Sequence, residues 1–166
     1  MSPDTKTGVT TQIYEIYIKA EPQKIWDAIT TSEWTTKYGY RGPVEYELRP
    51  GGAFRAHATP PLLAMGMPDV VVDGEVIESD PPRRLVQTYR FLFSPDMKAE
   101  GFTRITWEIE KSPAGFSRLT VTHQLEGAPT MAQMVSSKFS ELGTGGWSWI
   151  LSDLKSLLET GTTLDA

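Results

Sequence analysis

The stretch from Gly145 to Gly161 constrains the fold more than any other part of the chain. From Gly146 it reads Gly-Trp-Ser-Trp-Ile-Leu-Ser-Asp-Leu-Lys-Ser-Leu-Leu-Glu-Thr-Gly. Trp147, Ile150, Leu151, Leu154, Leu157 and Leu158 recur at helical spacing and form one apolar stripe. Ser148, Ser152, Lys155, Ser156 and Glu159 fall opposite. Gly161 stands where a left-handed residue ends a helix. Each large apolar side chain that leaves water contributes roughly 1.5–3 kcal/mol. Such a helix therefore requires a broad apolar surface to lie on.

The rest of the chain supplies that surface as strands. Gln12–Lys19 alternates, with Tyr14, Ile16 and Ile18 on one face and Glu15 and Lys19 on the other. Pro22 then opens a helix running to Thr30 with Ile25, Trp26 and Ile29 inward, and Ser32 caps a second helical turn carrying Trp34 and Tyr38. Val44–Leu48 and Ala53–Ala58 read as a hairpin across Pro50-Gly51-Gly52. Asp69–Ser79, Arg84–Phe93, Phe102–Lys111 and Phe116–Leu125 read as four further strands. Their short connections imply an antiparallel meander. Thr59–Pro68, with three prolines and a glycine among bulky apolar residues, reads as an irregular loop over something apolar, and Ser94–Gly101 as a longer connection. Met131–Leu142 reads as a helix with Met134, Val135 and Phe139 inward, broken by Gly143, Gly145 and Gly146 before the final helix. Strand, two short helices, six strands and a long helix together predict an α+β fold. In it a curved antiparallel sheet wraps the helix and leaves space for a ligand between them. Residues 1–10 read as a flexible tail and 11–162 as one domain.

Several functions are disfavoured at once. The 166 residues carry a net charge of -5 and no basic run, which argues against nucleic acid and against an anionic membrane surface. There is no cysteine, so thiolate chemistry and zinc–sulfur sites are excluded. The apolar runs are too short to span a membrane and Met1–Thr11 lacks the apolar core of a secretory signal, so a cytoplasmic location is expected. No P-loop, dinucleotide fingerprint or nucleophile elbow occurs, and the two histidines have no close ligand spacing. Neither a cofactor nor a metal is expected.

Chemistry must come from the interior. His123, on the parity of Leu119 and Val121, points toward the helix. It reads either as a polar or acid–base group for a ligand or as a core histidine bonded to its neighbours. His57, on the short hairpin, reads as a surface residue, and Arg90 and Arg104 face solvent by parity. Trp26, Trp34, Tyr38, Tyr89, Phe91, Trp107 and Trp147 are a large aromatic payload. They read as core or as the wall of an apolar pocket, with His123 and Tyr89 as polar handles and Gly146 leaving room beside the helix.

Four stretches carry a resemblance. Ile18–Thr30 with its Ala-Glu-Pro and Ile25-Trp26, Pro50-Gly51-Gly52-Ala53-Phe54, Gly74–Glu78 running into Pro82–Leu85, and Gly146-Trp147 with Ile150, Leu151 and Leu154 resemble the START-like (SRPBCC) superfamily. Within it they resemble the family of the C-terminal domain of the activator of the heat-shock-protein-ninety ATPase. The resemblance implies the helix-grip fold. It implies a domain binding a hydrophobic or aromatic small molecule, with a stress-associated role. It also implies two alternatives: a cyclase or dehydratase using His123 and Tyr89, and a co-chaperone-like module with a chaperone as partner.

Overall fold

The computed structural model describes residues 10–136 and 144–165. The expected tail up to Val9, the stretch of the expected Met131–Leu142 helix from Ser137 through Phe139 to Leu142, and Gly143 lie outside the described residues.

Seven antiparallel strands form one sheet: β1 (Thr11–Ile18), β2 (Val44–Tyr46), β3 (Ala53–His57), β4 (Val70–Asp80), β5 (Arg84–Phe91), β6 (Thr103–Lys111) and β7 (Ser117–Gln124). Their order is β1-β7-β6-β5-β4-β3-β2, so the first strand closes onto the last and the meander fills the space between them. A long final helix, Gly146–Thr160, crosses the concave face; Trp147, Leu151, Leu154 and Leu158 are buried there. Gly161 ends it in the left-handed conformation, φ 85°, and its N–H donates to Leu157 O.

Five shorter helices complete the chain: α1 (Pro22–Thr30), α2 (Ser32–Thr35), α3 (Pro60–Ala64), α4 (Pro95–Glu100) and α5 (Pro129–Val135), which makes the final helix α6. Four of them have proline in the first turn, where its missing N–H costs no hydrogen bond. At the end of α1 the Thr30 and Thr31 hydroxyls bond back to the carbonyls of Trp26 and Asp27, competing with continuation of the helix.

Several elements differ from the sequence reading. The excursion after β3 contains α3, and the connection after β5 contains α4, where the Ser94 hydroxyl accepts from Met97 N. Helices of five and six residues are too short to leave a periodic signature. Ser32 is the first residue of α2 and not its cap. Its hydroxyl donates to Val44 O and accepts from Val44 N, which pins β2 to the helical turn. Tyr38 lies beyond α2. Met134, read as inward, is 40% exposed.

As an edge strand, β1 directs alternate backbone groups outward. Its Thr10 and Leu125 neighbours fix the phase: Leu125 N donates to Thr10 O, so the odd-numbered residues face the free edge. At the far end of that edge Lys155 of α6 donates to Tyr17 O, and Glu159 accepts from Lys19 N.

Candidate ligand site between sheet and helix

Two rows of side chains cross the concave face beneath α6. Val76, Gln87, Ile105, His123 and Gln12 stand opposite one another through successive strands. Leu85, Trp107, Val121 and Tyr14 form the next row. The period of two that places Leu85, Gln87, Tyr89 and Phe91 on one face of β5 thus delivers two polar side chains into an otherwise apolar wall.

His123 is fully buried. Trp147 Nε1–H donates to its Nδ1 at 3.0 Å. An indole only donates, so Nδ1 is an acceptor and the ring proton sits on Nε2. Nε2 faces Thr103 Oγ1 at 2.8 Å, and the Thr103 hydroxyl in turn donates to Tyr89 O at 2.8 Å. Both nitrogens are engaged by neutral partners, and burial lowers the pKa to about 3. His123 is therefore a neutral ring bonded to its neighbours, the second of the two readings given above.

Gln87, also fully buried, is built in a similar way. Tyr46 O–H at 2.8 Å and Trp107 Nε1–H at 2.9 Å both donate to its Oε1. The Trp107 donor fixes the amide orientation, because turning it would set N–H against N–H. Gln87 Nε2 is buried and has no hydrogen-bond partner among the described residues. Burial, followed by the neighbouring Tyr89, pushes the Tyr46 phenol well above its ordinary pKa.

Tyr89 stands on the central strand of the seven, on the concave face, yet stays only partly buried while Gln87 and Phe91 beside it are buried. Its ring lies 5.8 Å from Phe54, 5.7 Å from Phe91 and 5.7 Å from His123. Burial first, and the neighbouring Tyr40 second, raise its phenol pKa. Tyr40 itself is exposed, packs edge-on against Trp149 and accepts from Gly146 N at the start of α6.

The structure brings together Tyr89, Phe91, Trp107, His123 and Trp147; Trp107 and Trp147 meet edge to face at 5.4 Å. Trp26 is buried in α1 and Tyr38 is buried with its hydroxyl donating to Ala28 O, so both serve the packing of α1. Trp34 is partly buried at the surface, with Lys37 at 4.8 Å and Lys24 at 5.6 Å from its ring. Gly146 is buried at φ 82°, a backbone conformation that disfavours any side chain. Arg90 faces outward as read, but it is paired in two hydrogen bonds with Asp73 and lies 4.2 Å from the Phe102 ring. His57, read as a surface residue, is held between Glu45 and Asp69, which raise its pKa.

Gln87, Tyr46 and Thr103 were not among the residues singled out from sequence; nor was Asp153. Gln87 shares the parity of Leu85 and Tyr89, and a polar residue at that parity was the available signal. Asp153 lies three residues after Ile150 and four before Leu157, hence on the apolar stripe. It is 2% exposed and accepts from Gly39 N and Leu164 N, both at 2.8 Å. It ties the loop after α2 and the C-terminal segment to α6. Two open surface hollows, of about 570 and 610 Å³, lie away from the aromatic wall; the first is bordered by Tyr17, Ile18 and Phe116 beside the Lys155–Glu159 pair, and the second is lined largely by salt-bridged charges. Among the described residues no group of three His, Asp or Glu side chains is arranged to hold a metal, and no helix is long and apolar enough to cross a membrane.

The family model described as Activator of Hsp90 ATPase homolog 1-like protein matches residues 19–159. The chain belongs to this family. Among solved structures, the Aha1 dimer from Colwellia psychrerythraea is similar, with a TM-score of 0.63, 20% identity, and coverage of 91% of this chain and 97% of that one. DynU16, from the dynemicin biosynthetic locus, has a TM-score of 0.62 at 21% identity; the match covers 93% of this chain and 49% of that one. CalU16 from Micromonospora echinospora has a TM-score of 0.51 at 16% identity, covering 68% of this chain and 59% of that one. The match thus spans about half of one of these relatives and rather more than half of another. At such identities the likeness shows the helix-grip fold and not a shared activity. No curated protein sequence matches the chain.

Proposed function

We propose that this domain binds a hydrophobic, aromatic-sized small molecule between the concave face of the sheet and α6. The observation that carries the reading is Tyr89. A residue at the middle of a seven-stranded sheet, facing the helix, is normally sealed; this one keeps accessible surface, and no hydrogen bond to its hydroxyl occurs among the described residues. The wall around it is aromatic, with a few neutral polar groups, which is the composition of a small-molecule site. His123 is neutral and doubly bonded, so binding is favoured over acid–base catalysis of the cyclase or dehydratase kind.

The test is titration with an uncharged apolar dye, Nile red, followed by the indole N–H resonances. Trp107 and Trp147 should shift and the surface Trp34 should not. Shifts confined to Trp34, or none at all, would overturn the reading.

A second reading, a stress-linked interaction with a chaperone, draws on the family description and on Leu63 and Met65, which are 47% and 71% exposed on and just after α3. Binding of Hsp90 that is lost in Leu63→Ser together with Met65→Ser would favour it. Unchanged binding in that double variant would remove the support.

A further inference from the structure

We infer that the Gln87 carboxamide is the specificity-determining group of this interior, and that the ligand it selects is uncharged and carries a hydrogen-bond acceptor, such as a ring ketone, next to an aromatic or alicyclic body. The inference rests on the binding role proposed above and adds the chemistry of what is bound.

The Gln87 carboxamide is engaged on one side only. The amide oxygen already accepts two hydrogen bonds, from Tyr46 and Trp107. What remains is a pair of N–H donors, fully buried and without a partner among the described residues. An unmet donor in a low-dielectric interior forfeits the hydrogen bond it would make in water, which is a net cost to the fold. A strand position that needed only bulk would take Leu or Met without that penalty. The two donors that lock the oxygen also hold the amide plane rigid, so its N–H groups point in a fixed direction.

The neighbouring groups narrow the ligand further. His123 has no free nitrogen: one ring atom accepts from Trp147 and the other is bonded to Thr103. The Thr103 proton goes to Tyr89 O. Gln87 Nε2 is thus the free donor of that row, and the Tyr89 hydroxyl is the second polar group of the wall. The only buried charge among the described residues is Asp153, whose oxygens accept from Gly39 and Leu164. A carboxylate or phosphate ligand would meet no counter-charge here, and a cation would meet no free carboxylate. A neutral acceptor oxygen remains, held against faces supplied by Tyr89, Phe54 and Trp107.

The experiment compares 1-tetralone with tetralin, two bicyclic probes that differ in one carbonyl. Each is titrated into the full chain and followed by the indole N–H signals of Trp107 and Trp147 and by the side-chain amide protons of Gln87. The expected result is tighter binding of tetralone and a downfield shift of the Gln87 amide protons with tetralone alone. Gln87→Met should abolish that preference, lowering the ratio of the two affinities about tenfold, while tetralin binding persists. Gln87→Glu is the second variant. It keeps an acceptor for Tyr46 and Trp107, and, when ionised, offers no donor. Wild-type protein alone remains decisive if neither variant folds, because the Gln87 amide shift needs no substitution. Equal shifts with both probes, or an affinity ratio untouched by both variants, would overturn the inference and leave the pocket standing. If neither probe moves the Trp107 and Trp147 signals, the pocket itself fails and the inference fails with it.

Discussion

Acid should weaken this fold through His123. The folded ring is held neutral, with a pKa of about 3 against an ordinary 6.5, because burial disfavours its charge. The folded value is the lower one, so between the two values the unfolded chain binds the proton that the folded chain refuses. The stabilisation is complete above pH 6.5 and is lost as the pH falls toward 3. Each unit of separation corresponds to about 1.4 kcal/mol, so from pH 7 to pH 5 the loss is about 2 kcal/mol. His57 acts with the opposite sign. Glu45 and Asp69 raise its pKa, so its contribution is present below pH 6.5 and fades as the pH rises through its folded value. Glu47, Glu159 and Asp165 have lowered values and remain ionised throughout this window. The measurement is urea denaturation at pH 7 and pH 5 in a His57→Gln background, with and without His123→Gln. The background protein should lose about 2 kcal/mol. The double variant should be less stable but flat between the two pH values. Equal losses in both proteins, or none in the background, would refute the assignment of a neutral, buried His123.

Two further outcomes follow from α6. Leu154→Ala should cost roughly 2–5 kcal/mol by leaving a cavity at a residue that is 1% exposed, whereas the exposed Ser152→Ala should cost little; chemical denaturation of both variants checks the helix face. Asp153→Ala should leave Gly39 N–H without its acceptor and cost about 1–3 kcal/mol. Hydrogen exchange should then quicken at Gly39 and Leu164, and protection unchanged at both amides would mean that Asp153 is not what holds them.

The fold was legible because its two periods are strong. Alternation at Tyr14, Ile16 and Ile18, and the helical stripe from Trp147 to Leu158, each bury one face against the other. The short helices α3 and α4 were not legible. They owe their form to a proline at the start and to local hydrogen bonds, and neither leaves a period. In the site, parity on β5 and β7 correctly aimed Tyr89 and His123 inward. What parity cannot give is which hydrogen bonds those groups already hold. His123 could be read as reactive or as a bonded core histidine; the indole of Trp147, twenty-four residues on, takes one of its two nitrogens. Gln87 looked ordinary because its chemistry depends on Tyr46 and Trp107, each brought from another strand. Trp34 was placed in the predicted wall by residue type; it lies partly buried at the surface, with Lys24 of α1 and Lys37 of the turn after α2 over its ring.

The free edge of β1 has a consequence for assembly. An uncovered strand edge is a template for a further strand, and proteins commonly blunt it with charges placed on the strand itself. Here the blunting comes partly from elsewhere: Lys155 and Glu159, ion-paired with each other at 2.7 Å, reach from the final helix and occupy the outward groups of Tyr17 and Lys19. The helix that fills the grip therefore also guards the sheet against growth. Loosening its last turns would unmask backbone as well as core, so unfolding of that end and sticking to a second chain become one event.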